Sequence, residues 1–135
     1  MHTIPDLQIL ASTIYGEARG EDSSGKYAVA CVIYNRWEKK KYTKTIYDIC
    51  LAPKQFSCWN KDDPNYKLLT EPNRPLDKAY IDSLEEAIFV LREGKHNDIT
   101  NGATHYHTKN IMPYWAKGKQ PCATIGNHLF YNNID

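Results

Sequence analysis

Residues 14–21 read Ile-Tyr-Gly-Glu-Ala-Arg-Gly-Glu, a stretch that sets two glutamates, Glu17 and Glu21, four positions apart. Glycoside cleavage needs a carboxylic acid that stays protonated near neutral pH, so that it can protonate the leaving oxygen. A glutamate in a partly apolar pocket meets that need, because desolvation disfavours its charged form. A two-carboxylate mechanism also needs its partners on opposite sides of the scissile bond. At i+4, Glu21 would project from the same side as Glu17, with Cβ atoms about 5–6 Å apart if the helix continued. It could not easily flank a sugar. The same charges could equally dress a solvated helix end.

The elements that must carry these residues are legible in outline. Leu7, Leu10, Ala11, Ile14 and Ala18 form a helical stripe. Thr3 and Asp6 have capping-box spacing and Pro5 suits the first turn. A helix over about 5–19 follows, ended by Gly20. Glu17 borders its apolar stripe, whereas Glu21 falls at or beyond the end, in wetter surroundings. Ser23 or Ser24 can cap the next segment, whose middle (27–34) is almost continuously apolar. Its length and lysine-rich end favour a buried helix over a strand. The run Lys39-Lys40-Lys41 then offsets the helix dipole. A short helix over 45–51 buries Ile46, Ile49 and Cys50. Residues 52–76, with Pro53, Pro64, Pro72 and Pro75, read as one long irregular excursion. Asp77 caps a helix to about Arg92, with Tyr80, Leu84, Ala87, Ile88 and Leu91 buried and Gly94 as its stop. Residues 103–108 and 123–131 alternate as two antiparallel strands around the loop 109–121. The fold class is therefore α+β and mostly helical, with a small C-terminal sheet, in a single domain over 1–135.

The ordered motifs resemble a known family. IYGEARGE, then GKYAVACVIYNR, QFS at 55–57, GATHY at 102–106 and IGNHLFY at 125–131 are similar to the SleB/CwlJ-type cell wall hydrolases, the spore-cortex lytic enzymes and related phage and bacterial wall enzymes. The resemblance spans about residues 7–131. It implies a lysozyme-like fold related to lytic transglycosylases and goose-type lysozymes. It also implies cleavage of the MurNAc-GlcNAc β-1,4 bond of peptidoglycan, with Glu17 as the catalytic acid. A lytic transglycosylase uses one carboxyl group first as acid and then as base toward the muramoyl 6-hydroxyl, giving a 1,6-anhydro end. That suits a chain with no obvious second carboxylate, although Asp48, Asp62 and Asp63 leave a hydrolytic muramidase open.

By analogy with those clefts, Gln55 and Ser57 would bond an N-acetyl group or Glu17, and Tyr106 would hold Glu17. Helix capping is the alternative for Gln55 and Ser57, and an ordinary strand tyrosine for Tyr106. Glu21 is either a salt bridge or cap in the motif turn or a saccharide contact. Arg36 would tie down backbone carbonyls or a carboxylate, with Glu21 as one candidate. Trp115, beside Pro113 and Tyr114, would stack on a sugar or pack over the sheet. His105 and His107 share a strand face, and His128 sits on the other strand. With Cys122 they suggest zinc, yet the set does not fall at a recognisable ligand spacing, so neither metal nor cofactor is expected.

Two rivals remain. A cysteine peptidase on wall peptides would use Cys58, since Cys31 lies inside an apolar run, together with His105 or His128. An inactive glycan-binding module is the other.

Composition narrows the partners. With 17 basic and 16 acidic side chains, the net charge of +1 gives no strong pull toward nucleic acid or an anionic membrane. No apolar run is long enough to cross a bilayer. Tyr and Trp make up 13 of the 16 aromatic residues, as carbohydrate clefts and ordinary surfaces both allow. The four cysteines form no CxxC pair and read as buried free thiols. The N-terminus has no basic and apolar leader. The expectation is a monomer made in the cytoplasm without a secretion signal, acting on peptidoglycan strands of wall or cortex after release.

Overall fold

The computed structural model describes residues 2–41, 43–53, 55–71 and 76–134. Five helices and a small sheet follow in order: α1 (Ile4–Ala18), α2 (Ser23–Lys39), α3 (Ile46–Leu51), α4 (Pro64–Thr70), α5 (Lys78–Glu93), β1 (His105–Thr108), β2 (Ala123–Ile125) and β3 (His128–Tyr131).

Local chemistry sets most helix starts. Thr3 and Asp6 form the expected reciprocal capping box on α1, and Thr45 and Asp48 form a second one on α3. Asp6 also accepts the Tyr47 amide at 2.9 Å, which ties the start of α1 to α3. The cap of α2 is Asp22, not either serine: its carboxylate accepts the Gly25 amide, and Ser23 is already helical. Aspartate is as good a cap as serine, so residue type alone could not rank them.

Helix α2 explains its own apolar run. Val29, Ala30 and Ile33 join the main core with Leu10, Ile14 and Val90, while Ala28 and Val32 pack beneath the sheet against Ala103 and Phe130. A helix covered on both sides loses the stripe of a surface helix. On α5 the buried line is Tyr80, Ser83, Ala87 and Val90. Leu84 and Leu91 are only half-buried, and Ile88, expected inside, is 43 % exposed. The helix is rotated so that small Ser83 and Ala87 face the core.

The stretch 52–76 is less irregular than expected. It holds one 3-10 turn (Ser57–Trp59) and helix α4, capped by Asp63 with Pro64 at the first helical position. Pro72 and Pro75 lie outside the described residues.

The sheet has three antiparallel strands in the order β1-β3-β2, not two. What reads as one strand over 123–131 folds back at Gly126-Asn127, where Gly126 has φ +56°. A glycine at positive φ in a two-residue loop is a hairpin turn. Register pairs Tyr106 with Phe130 and Thr108 with His128 on one face, and His105 with Tyr131 and His107 with Leu129 on the other.

Candidate active site

Helix α1 ends at Ala18, which leaves Glu17 in its last turn. Two donors from distant segments meet its carboxylate. The Tyr106 hydroxyl donates to Oε1 at 2.9 Å, and the Cys58 backbone amide donates to Oε2 at 3.2 Å. Gly16 makes the second contact possible, because a Cβ there would stand 2.7 Å from Cys58 Cβ. The motif glycine lets the Ser57–Trp59 turn close on the helix. Burial first, and the Glu17 charge second, push the Tyr106 phenol well above its ordinary value. Tyr106 therefore stays protonated and can donate.

Arg36 completes this side of the site. Its Nε donates to the Thr104 carbonyl at 2.6 Å, its Nη1 donates to Gln55 Oε1 at 3.2 Å, and its guanidinium lies over the Phe56 ring. Burial lowers its pKa, while Tyr106 and Glu17 hold it up. Arg36 thus bonds a backbone carbonyl and Gln55, and does not pair with Glu21.

Glu21 does not project into open solvent: it is half-buried like Glu17, its side chain 11 % exposed. It leans onto the hairpin turn, where Oε1 accepts the Asn127 amide at 3.2 Å and Oε2 accepts Asn127 Nδ2 at 3.3 Å. Two glycines make room for it. A Cβ at Gly25 would lie 2.6 Å from Glu21 Cβ, and one at Gly126 would collide with Oε1. The buried Lys26 ammonium donates to the Glu21 carbonyl. Sequence spacing missed this burial because its causes lie in α2 and the β2–β3 turn.

Glu17 and Glu21 line one cleft of about 480 Å³ with Thr108, Lys109, Asn110, Asn127 and His128. A larger concavity, about 680 Å³, lies against α2 and α5 beside Tyr27, Glu86 and Phe89, and contains none of the expected site residues. Glu17, Glu21 and Tyr106 come together. Gln55 and Ser57 are exposed on the segment beside Arg36, and it is the Cys58 amide, which carries no side-chain signature, that reaches Glu17 from there. Trp115 sits on the opposite face of the sheet, edge-on to His105, His107 and Tyr131.

The histidines diverge. His105 and His107 share the Trp115 face, and His128 shares the Tyr106 face. Among the described residues no cluster of His, Cys, Asp and Glu has the geometry to hold a metal. Cys58 is fully buried, and burial together with Glu17 pushes its thiol far up. A thiolate nucleophile needs the reverse. Cys31, also buried, is pushed up to about 12. All four cysteines are free thiols.

The helical body, with a small sheet closing over the end of its first helix, fits the lysozyme-like fold that the resemblance implies. Residues 20–131 match the family model described as Cell Wall Hydrolase, and the chain belongs to that family. Its relatives include the spore cortex-lytic enzymes of Halalkalibacterium halodurans, 27 % identical over 94 % of this chain and 34 % of that protein, and of Oceanobacillus iheyensis, 29 % identical over 93 % and 41 %. The chain thus spans well under half the length of these curated relatives. Among solved structures it resembles the catalytic domain of the germination-specific lytic transglycosylase SleB from Bacillus anthracis, with TM-score 0.70 and 26 % identity over 96 % of this chain and 95 % of that one. It also resembles the catalytic domain of the Bacillus cereus SleB protein, with TM-score 0.71 and 25 % identity over 96 % and 91 %.

Proposed function

We propose that residues 1–135 form one catalytic domain that cleaves the MurNAc-GlcNAc β-1,4 bond of peptidoglycan as a lytic transglycosylase. Its partner is the glycan strand, in bacterial wall or spore cortex, and it works as a monomer. Glu17 is the single acid/base. Its proton passes to the glycosidic oxygen as the bond from muramoyl C1 to that oxygen breaks, and the GlcNAc 4-hydroxyl leaves. The Glu17 carboxylate then takes the proton of the muramoyl 6-hydroxyl as O6 closes on C1. The product carries a 1,6-anhydro ring, Glu17 is again protonated, and no water is consumed.

The observation that carries this reading is the cradle of Glu17. One donor addresses each carboxylate oxygen, which stabilises the anion formed between the two steps. Among the described residues the other carboxylate lining the cleft is Glu21, which Asn127 holds against the β2–β3 turn. Asp48 and Asp63 cap α3 and α4, and Asp62 is exposed and does not line the cleft. A retaining or inverting hydrolase would need one of these free and facing the sugar. Gln55, with its Oε1 taken by Arg36, offers its amide N–H to a substrate acceptor, and Ser57 stands two residues on as a further hydroxyl partner.

The test is digestion of purified peptidoglycan with product analysis. The reading expects anhydro-muramoyl ends from the wild type and from Cys58→Ser alike. Reducing muramoyl ends would replace it with hydrolysis, and loss of activity in a folded Cys58→Ser protein would revive a peptidase.

A further inference from the structure

The β2–β3 turn presents one polar atom that the chemistry above leaves unused. His128 is 4 % exposed and its Nδ1 is buried without a hydrogen-bond partner. Glu21 Oε1 stands 3.8 Å from that nitrogen, beyond hydrogen-bond distance. The same imidazole meets the Tyr106 ring at 90° with centroids 5.1 Å apart, the edge-to-face geometry that aromatic pairs favour. Phe130 lies 5.8 Å from the Tyr106 ring as well. A chain of contacts therefore runs from Asn127 through Glu21 and His128 to Tyr106 and Glu17.

We propose that His128 is a positioning residue, which fixes the Tyr106 ring by edge-to-face contact, and through it the Glu17 carboxyl, while the Glu21 carboxylate holds the imidazole with Nδ1 protonated. The inference rests on the proposed role of Glu17. A bare Nδ1 lone pair facing a carboxylate is repelled, whereas an Nδ1–H is attracted across the 3.8 Å, so Glu21 selects the tautomer and thereby the ring orientation. The surrounding groups oppose one another, and burial prevails. Burial lowers the His128 pKa and His107 adds to that, while Glu21 and then Glu17 raise it. The imidazole is neutral at neutral pH, and its one proton goes to the nitrogen that faces the acid. A phenylalanine here would supply a ring edge without the buried orphan nitrogen. Histidine adds the link to Glu21.

The experiment has two arms. On peptidoglycan, His128→Ala should lower kcat by about tenfold or more with KM little changed, as expected for a displaced acid, and His128→Phe should recover part of that loss. By NMR, the imidazole nitrogen shifts of the wild type should report the Nδ1–H tautomer at neutral pH, and Glu21→Gln should lower both its population and the His128 pKa. If a wild type that cleaves glycan is matched in kcat by His128→Ala, or if Phe is as slow as Ala, the inference alone falls. An Nε2–H tautomer in the wild type overturns it even if no variant folds. A wild type that cleaves no glycan removes the reading of the reaction, and the inference with it.

Discussion

The two faces of the C-terminal sheet are built from the same kinds of residue and do different work. One face carries Tyr106, His128 and Phe130, and its polar tips point at Glu17 and Glu21. The other carries His105, His107 and Tyr131 under Trp115, and its polar groups satisfy each other: His107 Nε2 bonds the Tyr131 hydroxyl at 2.9 Å and His107 Nδ1 the Thr108 carbonyl at 2.7 Å. Aromatic and histidine content alone does not mark a site. What separates the faces is whether a carboxylate from another element reaches them, and strand alternation puts that difference between neighbouring residues.

Perturbing each face should give effects of different kind and falling size. Tyr106→Phe removes a hydrogen bond to a charged group, worth about 1.5–3 kcal/mol. The expected result is a fall in kcat of about ten- to a hundredfold, measured on purified peptidoglycan, with thermal unfolding little changed. On the opposite face, Trp115→Ala should cost about 2–3 kcal/mol in denaturant unfolding through lost packing, with the rate per folded molecule preserved. A specific loss of rate there would make Trp115 a sugar contact after all. The smallest effect is titration of His105. Burial, with Arg36 and Lys39 nearby, lowers its pKa to about 4, below the usual 6.5. The unfolded chain then binds the proton first, so the stability held with neutral His105 is present above about pH 6.5 and lost as pH falls toward 4. His105→Asn should flatten that limb of the Tm-against-pH curve.

The comparison also shows what a sequence can reveal. Thr3 with Asp6, and Asp77 ahead of α5, act within one turn, so their caps are readable in place. Glu17 could be distinguished because it borders the stripe of Leu10 and Ile14 on its own helix. The hairpin was readable in principle, since Gly126-Asn127 is a two-residue turn signature, and so was α4 from Asp63-Pro64. The enclosure of Glu21 was not, because it depends on the absence of side chains at Gly25 and Gly126, in elements remote in sequence. Nor was the Cys58 amide, since a backbone donor looks alike at every residue. Ile88 failed for a third reason: periodicity gives a helix a face but not the rotation that packing selects.

The central claim is that one carboxyl group does both proton transfers, and Glu17→Gln tests it most directly. The variant keeps the size and one acceptor oxygen of the side chain but cannot donate and retrieve a proton. Measured on purified peptidoglycan, with folding checked by circular dichroism, release of anhydro-muramoyl ends should fall by about a thousandfold or more. A folded Glu17→Gln protein that works within about tenfold of the wild type would contradict the account, because an acid worth so little is not general acid catalysis on this scale.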